Sequence, residues 1–226
     1  MKDFFSAAGH VIKATEAQQR KADRLQASRF NVFDLIEPDE NKLSDILADL
    51  LDPQGRHGQG DRFLRLLFDR IGLDDAELST AQAKIQRAAP THGIQKYRRR
   101  LDVLIDAGVL VAIENKVDSW EQPEQVKDYL EHLRECSRDR VIPGRLIYLT
   151  PNGRRPESLS PSACREEEEQ QRLFCWSYQK DLRQWLEACR AACQAEKIRW
   201  FITDFITYIE TKLLRESERD EGEGAQ

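Results

Sequence analysis

The sequence predicts an α/β fold in which one mixed β-sheet is covered by helices on both faces. Residues 95–106 alternate polar and apolar side chains as a half-buried strand does, and the apolar run at 109–113 follows after a short turn. A helical pattern then leads to another apolar strand near Arg145–Thr150. A hairpin followed by a helical crossover requires antiparallel and parallel pairing in the same sheet.

The other elements follow from the same two periodicities. Pro38 suits the start of a helix, Asp39 and Glu40 are favourable in its first turn, and leucines at helical spacing continue it. Gly and Pro residues separate the later segments. The remaining predictions are helices at 39–51, 63–71, 120–136, 178–194 and 197–215, strands at 84–87 and 173–176, a short apolar connector at 31–36, and a polar loop at 154–171.

The ends of the chain are predicted to lie outside the α/β domain, which is assigned to residues 31–215. Residues 1–30 form a predicted helical arm whose apolar stripe fades along its length. This arm fits a docking role toward a second copy of the chain or another protein partner. Residues 216–226 are charged, contain glycine and lack core residues, so we expect a disordered acidic tail.

Composition restricts the functional classes. The formal net charge of -5, from 35 Lys+Arg against 40 Asp+Glu, argues against a protein that coats nucleic acid. Any nucleic-acid contact must come from a local basic patch. No segment is apolar enough to predict a signal peptide or a membrane span. The five cysteines fit neither a disulfide nor a zinc pattern, so a cytoplasmic protein is expected.

The main chemical signal lies in the predicted hairpin. A three-residue turn pairs Asp106 with Leu110 and places Asp102 opposite Glu114, with about 5 Å between their Cβ atoms. A two-residue turn would put the two carboxylates on opposite faces unless a bulge restored the register. Lys116 lies two residues beyond Glu114 and shares its face.

Two carboxylates and a lysine in this position suit a divalent cation. Like charges at this spacing repel unless a cation lies between them, and Mg²⁺ prefers oxygen ligands completed by water. Lys116 could then position or deprotonate a water, or stabilise a developing anion. The alternative is a salt-bridged strand end that emerges into solvent.

Asp102 together with Glu114-Asn115-Lys116 resembles the Asp…(Glu/Asp)-x-Lys signature of the PD-(D/E)XK nuclease superfamily. Leu101 stands where that signature has a proline. The resemblance implies a restriction-endonuclease-like mixed β-sheet core (αβββαβ) flanked by helices, with extra N- and C-terminal helices. It also implies a nuclease dependent on Mg²⁺ or Mn²⁺, in which Asp102, Glu114 and the Asn115 backbone carbonyl hold the metal.

Two further segments resemble parts of this superfamily. Gln125 and Tyr129 look like the Gln-x-x-x-Tyr element of a nuclease subset, which implies that both side chains reach the site from the helix after the lysine strand. Their spacing places both on one helix face, where the alternative is a tyrosine that anchors the helix and a solvated glutamine. Residues 40–64 resemble an N-terminal segment in which an early helix supplies a metal-binding glutamate. Glu40 is the matching position.

Three residues are candidate substrate contacts. Arg98 and Arg100 share the Asp102 face if the strand alternates regularly, and they could hold phosphates or pair with acidic neighbours. His57, in a glycine-rich loop, could contact a phosphate or lock its own loop by hydrogen bonding.

The predicted function is therefore hydrolysis of phosphodiester bonds in nucleic acid, with DNA favoured and RNA left open. One alternative is a catalytically inactive nuclease-fold module that binds nucleic acid or protein. Another is a structural subunit that assembles through the N-terminal helix. A fold resemblance alone does not decide among them, because one fold can carry several functions.

Overall fold

The computed structural model describes residues 30–73, 78–91, 99–117 and 119–213, with six separate positions between residues 15 and 27. The predicted acidic tail at 216–226 lies outside the described residues, as does most of the predicted arm at 1–30. Within the described part of the chain, no helix is long and apolar enough to cross a membrane.

The described part contains helices and strands in the order that the sequence predicts, with two additional helices. The helices are α1 (Val32–Ile36), α2 (Glu40–Leu51), α3 (Arg62–Arg70), α4 (Gln125–Cys136), α5 (Pro161–Glu169), α6 (Arg183–Ala192) and α7 (Glu196–Tyr208). The strands are β1 (Lys84–Pro90), β2 (Arg100–Asp106), β3 (Leu110–Asn115), β4 (Arg145–Thr150) and β5 (Leu173–Ser177). Single turns at Thr80–Gln82, Tyr178–Leu182 and Ile209–Leu213 complete the ordered segments.

The five strands form one mixed sheet in sequence order, β1-β2-β3-β4-β5. The pairs β1–β2 and β2–β3 are antiparallel, whereas β3–β4 and β4–β5 are parallel. Helix α4 connects β3 to β4, and α5 connects β4 to β5. The predicted mixed sheet and its αβββαβ core are thus confirmed.

The sheet carries a hydrophobic core on each face. One core includes Val103 and Ile113 and is covered by α1, α2, α3, α6 and α7. The other includes Leu101 and Tyr129 and is covered mainly by α4. The apolar run that becomes β3 supplies side chains to both cores, and every residue of that strand is buried. The prediction of helices on both faces is therefore confirmed.

The prediction of a polar loop over residues 154–171 is wrong, because part of this segment forms α5. Ser160 caps the helix by accepting a hydrogen bond from the Ala163 N–H at 3.2 Å, and Pro161 occupies its first turn. Cys164 is the one residue of α5 that is buried. Because acidic residues follow Cys164, the sequence lacks the apolar periodicity of a helix and predicts a solvated loop.

The prediction of a connector at 31–36 is also wrong, because these residues form the short helix α1. The Asn31 side chain accepts a hydrogen bond from the Phe33 N–H at 2.9 Å and caps the helix. Phe33 is fully buried, and its ring stacks on Phe205 of α7 at a centroid distance of 4.8 Å. Tertiary packing stabilises a helix that is too short to form alone.

Candidate active site

The β2–β3 hairpin has the predicted three-residue turn. Asp106 pairs with Leu110 and Val103 pairs with Ile113, where the paired residues end, one residue short of Asp102 and Glu114. A carboxylate oxygen of Asp102 accepts a hydrogen bond from the Asn115 N–H at 2.8 Å. The predicted register is confirmed from Asp106 to Val103, and both acidic residues lie at the same end of the hairpin.

Strand β2 is irregular at Asp102 itself. Leu101 and Val103, two residues apart, belong to opposite cores, although such residues share a face on a regular strand. The β1–β2 ladder also omits the pair of Asp102 with Ala88, whose φ of 48° is left-handed. The Arg87 guanidinium donates to the Asp102 carbonyl instead. The side chains of β2 therefore switch from one face of the sheet to the other at Asp102. We call this irregularity the change of face at Asp102, and it leaves Asp102 unpaired with β1.

Glu114 is the centre of the site and is 2% exposed. Its Oε1 atom accepts hydrogen bonds from Lys116 Nζ at 2.9 Å and from Gln125 Nε2 at 2.8 Å. The other oxygen, Oε2, is buried and has no hydrogen-bond partner among the described residues. An unpartnered buried carboxylate oxygen is costly, so this atom lies where a cation or another ligand would compensate it.

The electrostatics agree with this description. Burial and the nearby Asp102 carboxylate raise the pKa of Glu114 to about 8. Burial also raises the pKa of Asp102, although the Asn115 amide and the Lys116 ammonium act in the opposite direction. Burial alone would lower the pKa of Lys116, but the surrounding carboxylates raise it. Lys116 is therefore a stable cation beside two carboxyl groups that resist ionisation without a further positive charge.

Gln125 of α4 contacts Glu114, and Tyr129 of the same helix contacts Gln125. Gln125 Nε2 lies 3.0 Å from the Tyr129 hydroxyl, and that hydroxyl donates to the Arg100 carbonyl at 2.8 Å. Burial raises the pKa of Tyr129 above its usual value, so the phenol stays protonated. The pair links the start of α4 to Glu114 and to the start of β2.

Glu40 lies at the start of α2, where Asp39 caps the helix by accepting from the Lys42 N–H at 2.7 Å. The Glu40 carboxylate accepts hydrogen bonds from the Val117 N–H at 3.0 Å and from the Ser119 hydroxyl at 2.8 Å. Glu40 therefore contacts the loop that follows β3. Its charge still acts on Asp102, Glu114 and Lys116, as its effect on their pKa values shows.

The site offers a divalent cation the oxygen ligands it prefers, from Asp102 and Glu114, and Mg²⁺ commonly binds through one or two carboxylates plus water. The unpartnered Glu114 Oε2 fits such a ligand. Among the residues that the structure describes, no group of three or more acidic, His or Cys side chains is gathered around one point.

The Asn115 backbone carbonyl is a predicted metal ligand. The Asn115 side chain is held in place by hydrogen bonds of its own. Its Nδ2 donates to the Glu40 carbonyl and to Ser44 Oγ, both at 3.1 Å. Its Oδ1 accepts from the buried Tyr178 hydroxyl at 2.8 Å. These contacts hold the end of β3 against α2 and the turn after β5. Ser44 and Tyr178 carry no motif and were missed, because only the folded chain brings them to Asn115.

Replacing Tyr178 with phenylalanine is expected to destabilise the protein by about 1–2 kcal/mol, because Asn115 Oδ1 would remain buried without its donor. The free energy of unfolding in urea measures this loss. Tyr148→Phe is the matched control, since the Tyr148 hydroxyl makes only a 3.4 Å contact to Glu121, whose carboxylate has other donors. Equal losses in the two variants would contradict the role assigned to Tyr178.

His57 is held inside its own loop. Its Nε2 lies 2.9 Å from the Asp52 carbonyl, and its Nδ1 accepts from the Gln59 N–H at 3.0 Å. The ring is 4% exposed and packs against Phe63. These contacts support the loop-locking alternative, and a contact between His57 and substrate stays a prediction.

The structure describes one of the two arginines that were predicted to contact substrate. Arg98 lies outside the described residues, whereas the Arg100 side chain is exposed at the start of β2. The change of face at Asp102 removes the regular alternation on which the orientation of Arg100 was predicted. Its neighbour Arg99 is buried and pairs with Asp128 of α4 at 2.5 Å, a contact that the sequence did not reveal.

Together, the five-stranded mixed sheet and the cluster of Asp102, Glu114 and Lys116 define a restriction-endonuclease-like protein. The chain belongs to the PD-(D/E)XK nuclease superfamily, whose family profile matches residues 30–207. No curated protein and no solved structure matches the chain. The family resemblance inferred from the sequence motifs is thus confirmed.

Proposed function

We propose that this protein is a metal-dependent nuclease that hydrolyses phosphodiester bonds in nucleic acid, with DNA as the favoured substrate. The observation that carries the proposal is the unpartnered, buried Oε2 atom of Glu114, whose other oxygen accepts from the Lys116 ammonium and whose pKa is raised by burial and by the Asp102 carboxylate. A structural ion pair between Glu114 and Lys116 would not require a second carboxylate nearby. A site that binds a metal cation and an anionic substrate would require a second carboxylate.

In this proposal Asp102, Glu114 and the Asn115 carbonyl hold Mg²⁺ or Mn²⁺, and Glu40 contributes directly or through water. The bound ion would neutralise phosphate charge and favour an ionised attacking water. Lys116 orients that water or stabilises the negative charge that develops on the phosphate. Its hydrogen bond to Glu114 Oε1 fixes the ammonium for this task.

Gln125 and Tyr129 position Glu114 rather than react. Gln125 donates to Glu114 Oε1 and lies beside the Tyr129 hydroxyl, which restricts the carboxylate to one orientation. Arg98, Arg100 and His57 remain proposed phosphate contacts. Five cysteines, all of them free, agree with the cytoplasm as the place of action.

Incubation with linear and circular DNA and with RNA, in Mg²⁺, in Mn²⁺ and in EDTA, tests the proposal. We expect cleavage that requires the metal, and the circular substrate separates internal cutting from removal of nucleotides at ends. Metal binding without cleavage of any substrate would favour the inactive binding module. Cleavage that continues unchanged in EDTA would contradict the assigned chemistry.

A further inference from the structure

We propose that Trp120 is a base-stacking residue, which holds an unpaired base of the substrate strand at the rim of the active site. The inference rests on the proposed function and names single-stranded nucleic acid as the substrate class. The Trp120 side chain is 82% exposed. Tryptophan is usually well buried, so an indole presented to water calls for a partner.

The residues on both sides of Trp120 are anchored through their side chains. Before it, the Ser119 hydroxyl donates to the Glu40 carboxylate at 2.8 Å. After it, the Glu121 carboxylate accepts from the backbone N–H groups of Glu157 at 2.7 Å and Ser158 at 3.2 Å. The indole is therefore displayed by an anchored segment, which lowers the entropic cost of binding a flat ligand.

The next two residues of the segment are fixed as well. The Gln122 N–H donates to Gln125 Oε1 at 3.0 Å, and the buried Arg99 guanidinium donates to Gln122 Oε1 at 3.1 Å. Arg99 also donates to the Pro123 carbonyl. A buried cation thus supports a surface loop that presents the exposed Trp120 side chain.

Two of the residues that anchor this loop, Glu40 and Gln125, belong to the candidate active site. Ser119 contacts Glu40, and Gln122 contacts Gln125, which in turn donates to Glu114. Tyr148, which contacts Glu121, is the β4 partner of Glu114. Trp120 therefore lies, along the chain, between two residues that contact Glu40 and Gln125, which places its backbone near the carboxylate cluster. In the proposal, a strand whose phosphate reaches Glu114 places an unpaired base on the indole.

Aromatic side chains bind single strands because every base has a face on which a ring can stack. Such stacking strengthens binding by about 5- to 150-fold per base. Bases in a duplex already stack on each other, so an exposed indole gains little from them unless a base is flipped out. The proposed preference is therefore for a strand with unpaired bases, whether deoxyribose or ribose.

The test measures binding of fluorescein-labelled oligothymidylate, oligouridylate and a DNA duplex by anisotropy, in Mn²⁺, with Lys116→Ala as the parent so that strands stay intact. Adding Trp120→Ala is expected to weaken oligothymidylate binding by about 5- to 150-fold and to change duplex binding by less than about threefold. Trp120→Phe retains most of the affinity, since phenylalanine also stacks. An equal effect on oligouridylate is expected, because stacking on the indole does not depend on the sugar.

Trp200→Ala is the matched control, because Trp200 is 58% exposed on α7, a helix that packs on α1 and α6. Its removal should leave all affinities unchanged. If the parent binds and the wild type cleaves, but Trp120→Ala binds like Trp200→Ala, base stacking is wrong and the proposed nuclease function stands. If neither binding nor cleavage occurs in the proteins with Trp120 intact, the proposed function fails as well. A dimer that Trp120→Ala converts to a monomer, with unchanged oligonucleotide affinity, would identify an interface between copies and overturn the inference.

Discussion

Replacing Lys116 with alanine is expected to lower the rate of nucleic-acid cleavage by about 10²- to 10⁴-fold while leaving Mn²⁺ binding intact. The ammonium lies 2.9 Å from Glu114 Oε1 and forms an ion pair with that carboxylate. Without it, the attacking water loses its orienting group and the phosphate loses a positive neighbour. The carboxylates of Asp102 and Glu114 remain available to a metal, so affinity for Mn²⁺ is retained.

Single-turnover cleavage and Mn²⁺ titration by calorimetry measure these two quantities separately. Lys127→Ala is the matched control, since Lys127 is an exposed lysine of α4 that lies 3.8 Å from the exposed Glu124. That variant loses the same charge and should cleave like the wild type. If Lys116→Ala cleaves as fast as Lys127→Ala, the role assigned to Lys116 is wrong.

Replacing Glu114 with glutamine is expected to stabilise the metal-free protein above neutral pH and to abolish metal binding. In the folded chain Glu114 has a pKa of about 8, compared with an ordinary value of 4.5. Between these two values the unfolded carboxyl is ionised and the folded one is protonated, so folding takes up a proton. Stability conferred by this group is therefore lost as the pH rises from 4.5 toward 8.

The glutamine variant does not lose stability over this pH range, because its amide does not ionise. Its carbonyl can still accept hydrogen bonds from Lys116 and Gln125. The difference in unfolding free energy between variant and wild type should grow with pH to about 2–5 kcal/mol in EDTA. Urea unfolding across this pH range measures it. Glu124→Gln, at an exposed position, is the control and should follow the wild type at every pH.

Saturating Mn²⁺ should offset much of this difference in stability. At a concentration about 100 times the dissociation constant, the metal stabilises the wild type by about 2.7 kcal/mol, whereas Glu114→Gln gains almost nothing. A glutamine variant that Mn²⁺ stabilises as much as the wild type would show that the ion binds elsewhere. A flat pH dependence in the wild type would show that Glu114 is not the buried acid described here.

The sequence predicted those parts of the site that local geometry controls. A three-residue turn determines which residues face each other across a hairpin, so the pairing of Asp106 with Leu110, and with it the shared end of Asp102 and Glu114, could be predicted before the structure was known. A four-residue spacing determines which side chains share a helix face, so Gln125 and Tyr129 could be predicted together. In both cases the residues belong to one local element, a hairpin or a helix.

The rest depends on contacts between distant segments. Tyr178 reaches Asn115 across 63 residues, and no periodicity reports that meeting. The irregularity of β2 at Asp102 arises from its pairing with β1 and was not visible in the alternation of residues 95–106. Glu40 was predicted as a metal ligand, whereas its oxygens contact the loop at Val117 and Ser119, which has no signature in the sequence.

A crystal structure with Mn²⁺ tests the central claim most directly, since anomalous scattering locates the ion without reference to activity. The account predicts one anomalous peak bonded to carboxylate oxygens of Asp102 and Glu114, with Glu114 Oε2 among the ligands and Lys116 Nζ beside it. The same experiment on Glu114→Gln should give no peak at this position. A peak elsewhere in the wild type, or none at saturating Mn²⁺ with Glu114 Oε2 still unpartnered, would contradict a metal-dependent active site at the end of β3.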